Sequence, residues 1–289
     1  MKDKTTASDY IELYEVGPRD GLQNEQQEIP TTQKIALIDA LSGVGFRHIE
    51  ATSFVSPKWV PQLADAKAVM AGITRNAGTS YAALTPNQRG FDDALAAGIG
   101  EVAIFAAASE EFSAKNINAS IAESMARYAP VAHDAMTNNV ALRGYVSCAV
   151  FCPYEGPVDP KMVREVTDQL FDMGCYSISL CDTIGTGMPD DVARMLDMVV
   201  PRFDAARLAG HYHDTGGHAI ANVMRSLEYD LRIFDAAVGG LGGCPFAPGA
   251  KGNVATGPLA QALESEGWRT GLDLDCLAEA EQIIDHLKR

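Results

Sequence analysis

The chain has 289 residues, 47% of them hydrophobic and 21% charged, which suits a globular protein long enough for one large core. A formal net charge of −15 argues against nucleic acid as a partner, because that would need a basic face. The opening MKDKTTASDY lacks a secretory apolar stretch, no run is long enough to span a bilayer, and the cysteines at 148, 152, 175, 181, 244 and 276 fit neither a zinc pattern nor a disulfide framework. The expectation is a cytoplasmic protein with reduced thiols and no membrane partner.

In chain order, the first apolar, β-branched run is IELYEV (11–16). TTQKIALIDALSGVG (31–45) reads as a helix with Thr at a capping position and Gly at its end. Strand-like runs follow at 48–54, 80–85, 101–108 and 142–148. PKMVREVTDQLFDMG (160–174) is a helix with Pro near its start and Gly at its end. A strand at 177–183, a helix at 189–200, a strand at 206–214, a helix at 218–230 and a strand at 233–240 complete the alternation. Residues 254–289 read as terminal helices. Eight strands alternating with helices, without a low-complexity linker, predict an α/β fold: a (β/α)8 TIM barrel with extra C-terminal helices, ahead of an open doubly wound sheet. Residues 1–289 form a single domain on this reading, with the barrel over about 10–250 and the helical extension over about 254–289.

A parallel barrel gathers functional groups at the carboxyl ends of its strands. Strand one runs into Gly17-Pro18-Arg19-Asp20, strand two carries Glu50, strand six ends at Asp182-Thr183, strand seven ends with His211, His213 and Asp214, and strand eight leads to Cys244 and Asn253. Ionisable groups at strand starts are scarce by comparison. His211 and His213, two apart on a strand, share one face, so two imidazoles aim at one point. They are metal ligands or hydrogen-bonded core histidines. Asp214 falls on the other face and reads as a cap. Asp20 is an oxygen ligand by position or a turn residue, and Asn253 between glycine and valine is an amide ligand or another turn residue. Two histidines, a carboxylate and an amide oxygen suit Mg²⁺ or Mn²⁺, with Zn²⁺ or Co²⁺ as alternatives. Arg19 is a fixed cation for an enolate or a surface charge. Cys244 is an acid–base thiol or a small buried hydrophobe, and Glu50 in an apolar strand wants Arg19 or a ligand as its partner.

EVGPRDGLQNE (15–25), IEATSFVSPKWVPQLAD (49–65), SAKNIN (113–118), SCAVFCPYEG (147–156), SLCDTIGTG (179–187), GHYHDT (210–215) and GGLGGCPFAPGAKGNVAT (239–256) together closely resemble the 3-hydroxy-3-methylglutaryl-CoA (HMG-CoA) lyase family. The resemblance spans nearly the whole chain in order. It implies a TIM-barrel lyase with a bound divalent cation held by Asp20, His211, His213 and Asn253. It implies catalytic roles for Arg19, Asp20, Glu50, Asp182, His211 and Cys244, and an acyl-CoA contacted by Gln23, Ser53, Lys115, Asn116 and Ser179. The implied reaction is retro-Claisen cleavage of (S)-HMG-CoA to acetyl-CoA and acetoacetate, a step of leucine degradation and ketone-body metabolism. A homodimer is expected.

Three departures from the family pattern stand out. The family's Asn-x-Ala-Thr-Glu-Asp gives way to Thr256-Gly257-Pro258, so a carboxylate near the site is missing. His-Asp-Thr-Tyr-Gly-Gln becomes His213-Asp214-Thr215-Gly216-Gly217-His218, and a basic residue after GLQNE becomes Gln26. These changes predict an altered pocket near the acyl end. A longer substrate such as 3-hydroxy-3-isohexenylglutaryl-CoA, a citramalyl-CoA-like one, or a non-catalytic metal-binding barrel are the alternatives. Extra C-terminal domains are usual in the superfamily's synthases, and a carboxyltransferase would want a carboxylated Lys among the ligands. This chain ends soon after its barrel and has no Lys at those strand ends.

Overall fold

Short β-branched runs of alternating facing make strands, and each is followed by a segment too long for a hairpin, so neighbouring strands must run parallel. The computed structural model describes residues 9–25, 27–242 and 252–287. Eight parallel strands close into a barrel in sequence order. They are β1 Glu12–Glu15, β2 His48–Ser53, β3 Ser80–Leu84, β4 Glu101–Ala107, β5 Ala141–Ser147, β6 Ser177–Asp182, β7 Leu208–Tyr212 and β8 Ile233–Ala236. The ring shuts by pairing Glu12 through Glu15 of β1 with Ile233 through Ala236 of β8. A two-stranded hairpin, Phe151–Cys152 with Gly156–Pro157, sits above β5.

The surrounding helices are α1 Thr31–Val44, α2 Ala66–Gly72, α3 Gln88–Ala96, α4 Glu110–Ile117, α5 Ile121–Thr137, α6 Pro160–Asp172, α7 Pro189–Val199, α8 Ala219–Leu227, α9 Thr256–Ser265 and α10 Leu274–Leu287. Gly45 ends α1 in the left-handed region (φ 101°), where a side chain would be strained. Thr31, expected as a cap, lies inside α1, and its hydroxyl donates instead to Asp65 (2.6 Å). Asp159 caps α6 by accepting from the Lys161 N–H, ahead of Pro160 in the first turn. Helices α2 to α5 went unread in the sequence. Yet α5 carries a complete capping box, Ser120 with Glu123, and hides it behind an interior Pro130.

Outward-facing strand residues such as Ile178, Leu180, Leu208 and Phe234 build the apolar layer between barrel and helices. Leu277, Ala280 and Ile284 of α10 belong to that same core. Along the barrel axis the filling is polar rather than the usual branched aliphatics. Arg143, Asp235, Ser179, Tyr145 and Glu50 are all at most 4% exposed there. Among the described residues no helix is long and apolar enough to cross a membrane. Cys148, Cys152, Cys175 and Cys181 are buried free thiols, and Cys276 is partly exposed.

Candidate active site

The end of β1 does not make a simple turn. Residues Gly17–Gly21 form one wide π-helical turn, in which the Val16 carbonyl takes the N–H groups of Arg19, Asp20 and Gly21. Such turns are rare and recur at functional sites. The turn fits because residue 21 is glycine: a Cβ there would lie 2.5 Å from the Leu241 Cβ. It points Arg19 and Asp20 over the barrel mouth. Arg19 is buried between two carboxylates, with its Nε 2.6 Å from Glu50 Oε2 and its Nη1 2.6 Å from Asp20 Oδ1.

On the opposite wall, His211, the last axis-facing residue of β7, points inward and His213 lies just beyond the strand. Each imidazole Nε2 is 3.8 Å from Asp20 Oδ2. Ligand atoms of Asp20, His211 and His213 fall within 4.8 Å of one another. Asn253 joins them through a return of the chain. Val254 N–H donates to the Tyr212 carbonyl and Asp214 N–H to the Gly252 carbonyl, so Asn253 pairs antiparallel with His213. Its amide donates to Asp20 Oδ2 (2.9 Å) and the Leu241 carbonyl (3.2 Å).

The electrostatics favour a cation. Burial pushes His213 down to about 4, and the neighbouring His211 pushes the same way, so His213 is neutral with its lone pair available. Burial would raise Asp20, but the Arg19 guanidinium, both histidines and the Asn253 amide hold it well below the usual carboxylate range. Burial raises Glu50 against the opposing pull of Arg19. Two polar atoms of the cluster, His213 Nδ1 and Asn253 Oδ1, are buried without a hydrogen-bond partner. A folded protein rarely leaves such atoms orphaned. Two imidazoles, a carboxylate and an amide oxygen with unspent lone pairs match what a divalent metal requires.

A carboxylate that sequence reading passed over supports the histidines. Asp235 of β8 lies in register beside His211 of β7. Its Oδ2 is 3.0 Å from His211 Nδ1 and accepts from Ser179 Oγ (2.8 Å), while its Oδ1 takes Arg143 Nη2 (2.6 Å). A carboxylate behind a ligand histidine fixes its tautomer and raises the basicity of its free nitrogen. Arg143 also donates to the Tyr145 hydroxyl (2.9 Å), which reaches Glu50 Oε2 (3.3 Å), so Asp235 and Glu50 belong to one network. The signal was present: an acid inside the apolar run IFDAAV is as costly unpaired as Glu50 in its own strand.

The remaining expected residues scatter. Gln23 donates to Asp20 Oδ1 (3.0 Å) at the mouth. Ser179 is fully buried beneath Asp235, so it reaches the mouth only through that carboxylate and His211. Asp182 has the outward facing of Ile178 and Leu180. Its Oδ2 takes the Gly187 N–H (2.8 Å), its Oδ1 is buried without a partner, and burial raises it to about 6. Its carboxyl therefore anchors the loop against which His213 packs: a Cβ on Gly185 would lie 2.7 Å from His213. Asp214 behaves as the expected cap, accepting from Ala219 N–H (3.1 Å). Cys244 and Gln26 lie outside the described residues.

Ser53 lines a groove of about 570 Å³ beside the mouth, whose walls also carry Lys58, Lys67 and Arg89. Lys115 and Asn116 are exposed on the last turn of α4, with the Lys115 ammonium 3.9 Å from the Tyr154 ring centre.

Two departures from the family pattern look different in three dimensions. The carboxylate absent at Gly257 is not absent from that place. A Cβ on Gly257 would lie 2.6 Å from Oε1 of Glu281, which α10 folds back into the position. At Gly216 a Cβ would meet the His218 ring and the Gly185 carbonyl, each at 3.1 Å. Neither glycine opens an empty pocket.

Comparison with known proteins agrees with this geometry. The HMGL-like family model matches residues 10–284. The hydroxymethylglutaryl-CoA lyase of Pseudomonas mevalonii is 51% identical over 93% of this chain and 89% of its own. The 3-hydroxy-3-isohexenylglutaryl-CoA/hydroxy-methylglutaryl-CoA lyase of Pseudomonas aeruginosa is 50% identical over 95% and 91%. The crystal structure of the HMG-CoA lyase from Brucella melitensis superposes with a TM-score of 0.95 at 56% identity, covering 97% of this chain and 99% of that one.

Proposed function

Because this chain belongs to the HMGL-like family, we propose that it is a hydroxymethylglutaryl-CoA lyase, cleaving (S)-HMG-CoA to acetyl-CoA and acetoacetate. The observation that carries the reading is the convergence of Asp20, His211 and His213 within 4.8 Å, beside the buried Arg19–Glu50 pair.

Asp20, His211, His213 and Asn253 would hold the cation, and the mixed nitrogen–oxygen set favours Mg²⁺ or Mn²⁺ over Zn²⁺. When bound, the ion supplies Lewis acidity toward the substrate's oxygens. The protein's own groups do the rest. The C3 hydroxyl proton goes to Asp20, or to His211 Nε2 where that nitrogen is not holding the cation, and the hydrogen bond of His211 Nδ1 to Asp235 fixes the ring for either role. The C2–C3 bond then breaks, its electron pair moving into the thioester as the enolate of acetyl-CoA while C3 becomes the ketone of acetoacetate. Arg19, held rigid by Glu50 and Asp20, faces the developing oxyanion. Cys244 delivers the proton that turns the enolate into acetyl-CoA. Asp182 acts through the loop behind His213. The groove beside Ser53, with Lys58, Lys67 and Arg89, suits the phosphates of coenzyme A, while Lys115 and Asn116 extend the acyl-CoA path across the mouth. Barrel and terminal helices work as one domain, which their shared core supports. A homodimer and a cytoplasmic setting belong to the same proposal, and light scattering tests the first.

The Pseudomonas aeruginosa relative, named for two substrates, keeps a longer 3-hydroxyacyl-CoA as a second reading. The test is acetyl-CoA release by the purified protein with Mn²⁺, offered HMG-CoA and the isohexenyl analogue in parallel. Release from HMG-CoA that EDTA abolishes supports the proposal. Release from the analogue alone would replace it with the second reading.

A further inference from the structure

We propose that Glu281 of α10 is a positioning residue for the Asn253 segment, giving the first turn of α9 the carboxylate that residue 257 cannot provide.

The glycine at 257 and the acid at 281 form one arrangement. Glu281 Oε1 would lie 2.6 Å from a Cβ on residue 257, and its carboxyl carbon 3.4 Å, so any side chain there evicts it. The Gly257 backbone N–H lies near this carboxylate and offsets part of the rise that burial imposes on it. Gly257 is the second residue of α9, whose free N–H groups and dipole favour an anion.

A second acid reaches the same turn from the other end of the chain. Glu15 of β1, fully buried, accepts from Thr256 Oγ1 (2.8 Å), Gly17 N–H (2.8 Å) and Val238 N–H (2.9 Å). It ties the turn carrying Arg19 and Asp20 to both ends of the long β8–α9 connection. Burial raises Glu15 to about 7, and the nearby Glu281 adds to that rise, so the two carboxylates are close enough to feel each other.

One face of α10 grips the connection at two points. Ile284, three residues from Glu281 and so on the same side of the helix, would lie 3.2 Å from a Cβ on Gly239, whose φ of +61° already favours glycine. Glu281 holds the far end, at Gly257. Asn253 sits between these contacts, three residues before α9 begins, in a segment whose other anchors are Val254 N–H to the Tyr212 carbonyl and Thr256 N–H to the Ala237 carbonyl (both 3.1 Å). Fixing the start of α9 therefore fixes the reach of Asn253 toward Asp20. A carboxylate that only stabilised the helix would leave that reach unchanged.

For turnover this role rests on the lyase reading; for cation binding it does not. The test uses the full chain in four variants: Glu281→Ala, Glu281→Gln, Gly257→Glu, and Gly257→Glu with Glu281→Gly. Mn²⁺ affinity by calorimetry, kcat and KM for HMG-CoA, and thermal midpoint are measured for each. Glu281→Ala should weaken Mn²⁺ binding by about tenfold and lower kcat with little change in KM, the range typical of residues behind a metal ligand. Glu281→Gln, which is isosteric and keeps a side-chain oxygen beside Gly257, should keep Mn²⁺ affinity within about threefold of the parent, and it remains informative if the alanine variant folds poorly. Gly257→Glu alone forces two carboxylates into one space and should weaken Mn²⁺ binding by about tenfold or more, and removing Glu281 in the double variant should recover most of that loss. A lower thermal midpoint with unchanged Mn²⁺ affinity and kcat, or a double variant no better than Gly257→Glu, overturns the proposal. A parent protein that binds Mn²⁺ yet leaves HMG-CoA intact would sink the lyase reading while the Mn²⁺ data still decide the role of Glu281.

Discussion

The two ends of this barrel each bury a cluster of ionisable groups, and they differ in how completely those groups are satisfied. At the amino-terminal end Glu101, 1% exposed, accepts from the Tyr14 hydroxyl (2.9 Å), His48 Nδ1 (2.8 Å), Ser80 Oγ (2.6 Å) and the Tyr176 hydroxyl (2.6 Å). Tyr14 and Tyr176 stack on either side of His48, and Arg143 lies 3.9 Å above the Tyr14 ring. At the carboxyl end, by contrast, one atom each of Glu50, Asp182, His213 and Asn253 is buried without a partner. The expectation that strand starts would be poor in ionisable groups is therefore wrong, since Glu12, His48 and Glu101 all open strands. Counting charges does not tell a working end from a structural plug, but asking which lone pairs are already used does.

If that contrast is right, carboxyl-end substitutions should remove activity and spare stability, and amino-end substitutions the reverse. The largest effect is expected for His213→Ala, which should silence acetyl-CoA release and Mn²⁺ binding, as EDTA should, with the thermal midpoint nearly unmoved. Arg19→Met should lower kcat by about 10²–10³-fold, the scale of losing one fixed oxyanion donor, with a smaller change in KM. Asp235→Asn, which leaves His211 without its anionic orienter, should weaken Mn²⁺ binding by about 10–100-fold in calorimetry.

The mirror experiment is Glu101→Gln. It should lower unfolding free energy by about 1–3 kcal/mol in urea titration, because an amide NH₂ cannot accept from the donors that converge on Glu101, and kcat of the remaining folded enzyme should hold. A large loss of kcat there would erase the distinction between the ends.

The smallest effect lies in the pH profile of stability. Burial opposes the shift, but the bonds from His48, Ser80 and Tyr176 hold Glu101 down at about 2, against 4.5 for a free glutamate. A depressed carboxylate contributes stability above its unfolded value, and that contribution drains away as pH falls from about 4.5 toward 2. His48 is shifted up: burial lowers it, and Glu101 and Glu12 more than compensate. A raised histidine contributes fully below its unfolded 6.5 and loses that contribution as pH climbs through its folded value. The stability gap between the parent and a His48→Gln variant should therefore be widest between these limits and narrow on both sides.

Local signals carried the fold far. Short apolar, β-branched runs located all eight strands to within a few residues, and terminal Gly and Pro located α1, α6 and α7. Helix α3 was missed although Asn87 caps it by accepting from the Gly90 N–H, because it is only nine residues long and its large apolar residues are just Phe91 and Leu95. At the site, Asp20, His211 and His213 were legible because strand ends and strand facing are local properties. Asn253 was named as an amide ligand with a turn residue as its alternative, and strand facing could not choose between them, because the pairing that sets it beside His213 joins residues 40 apart in the chain. Asp182 shows the converse: a strand-end acid whose facing turns it from the axis toward its own loop.

The sequence by itself determined the barrel, the mouth at which chemistry collects and, through strand ends and facing, three of the four proposed ligands, with Asn253 named from its loop and from the family resemblance, since periodicity and facing follow from a few neighbouring residues. Only the tertiary structure decided which buried charges were satisfied, that Asp235 stands behind His211, and that an acid 24 residues after Gly257 (Glu281) fills the space beside it. Those facts depend on strand register and helix docking, where groups distant in the chain meet and no local pattern records the meeting.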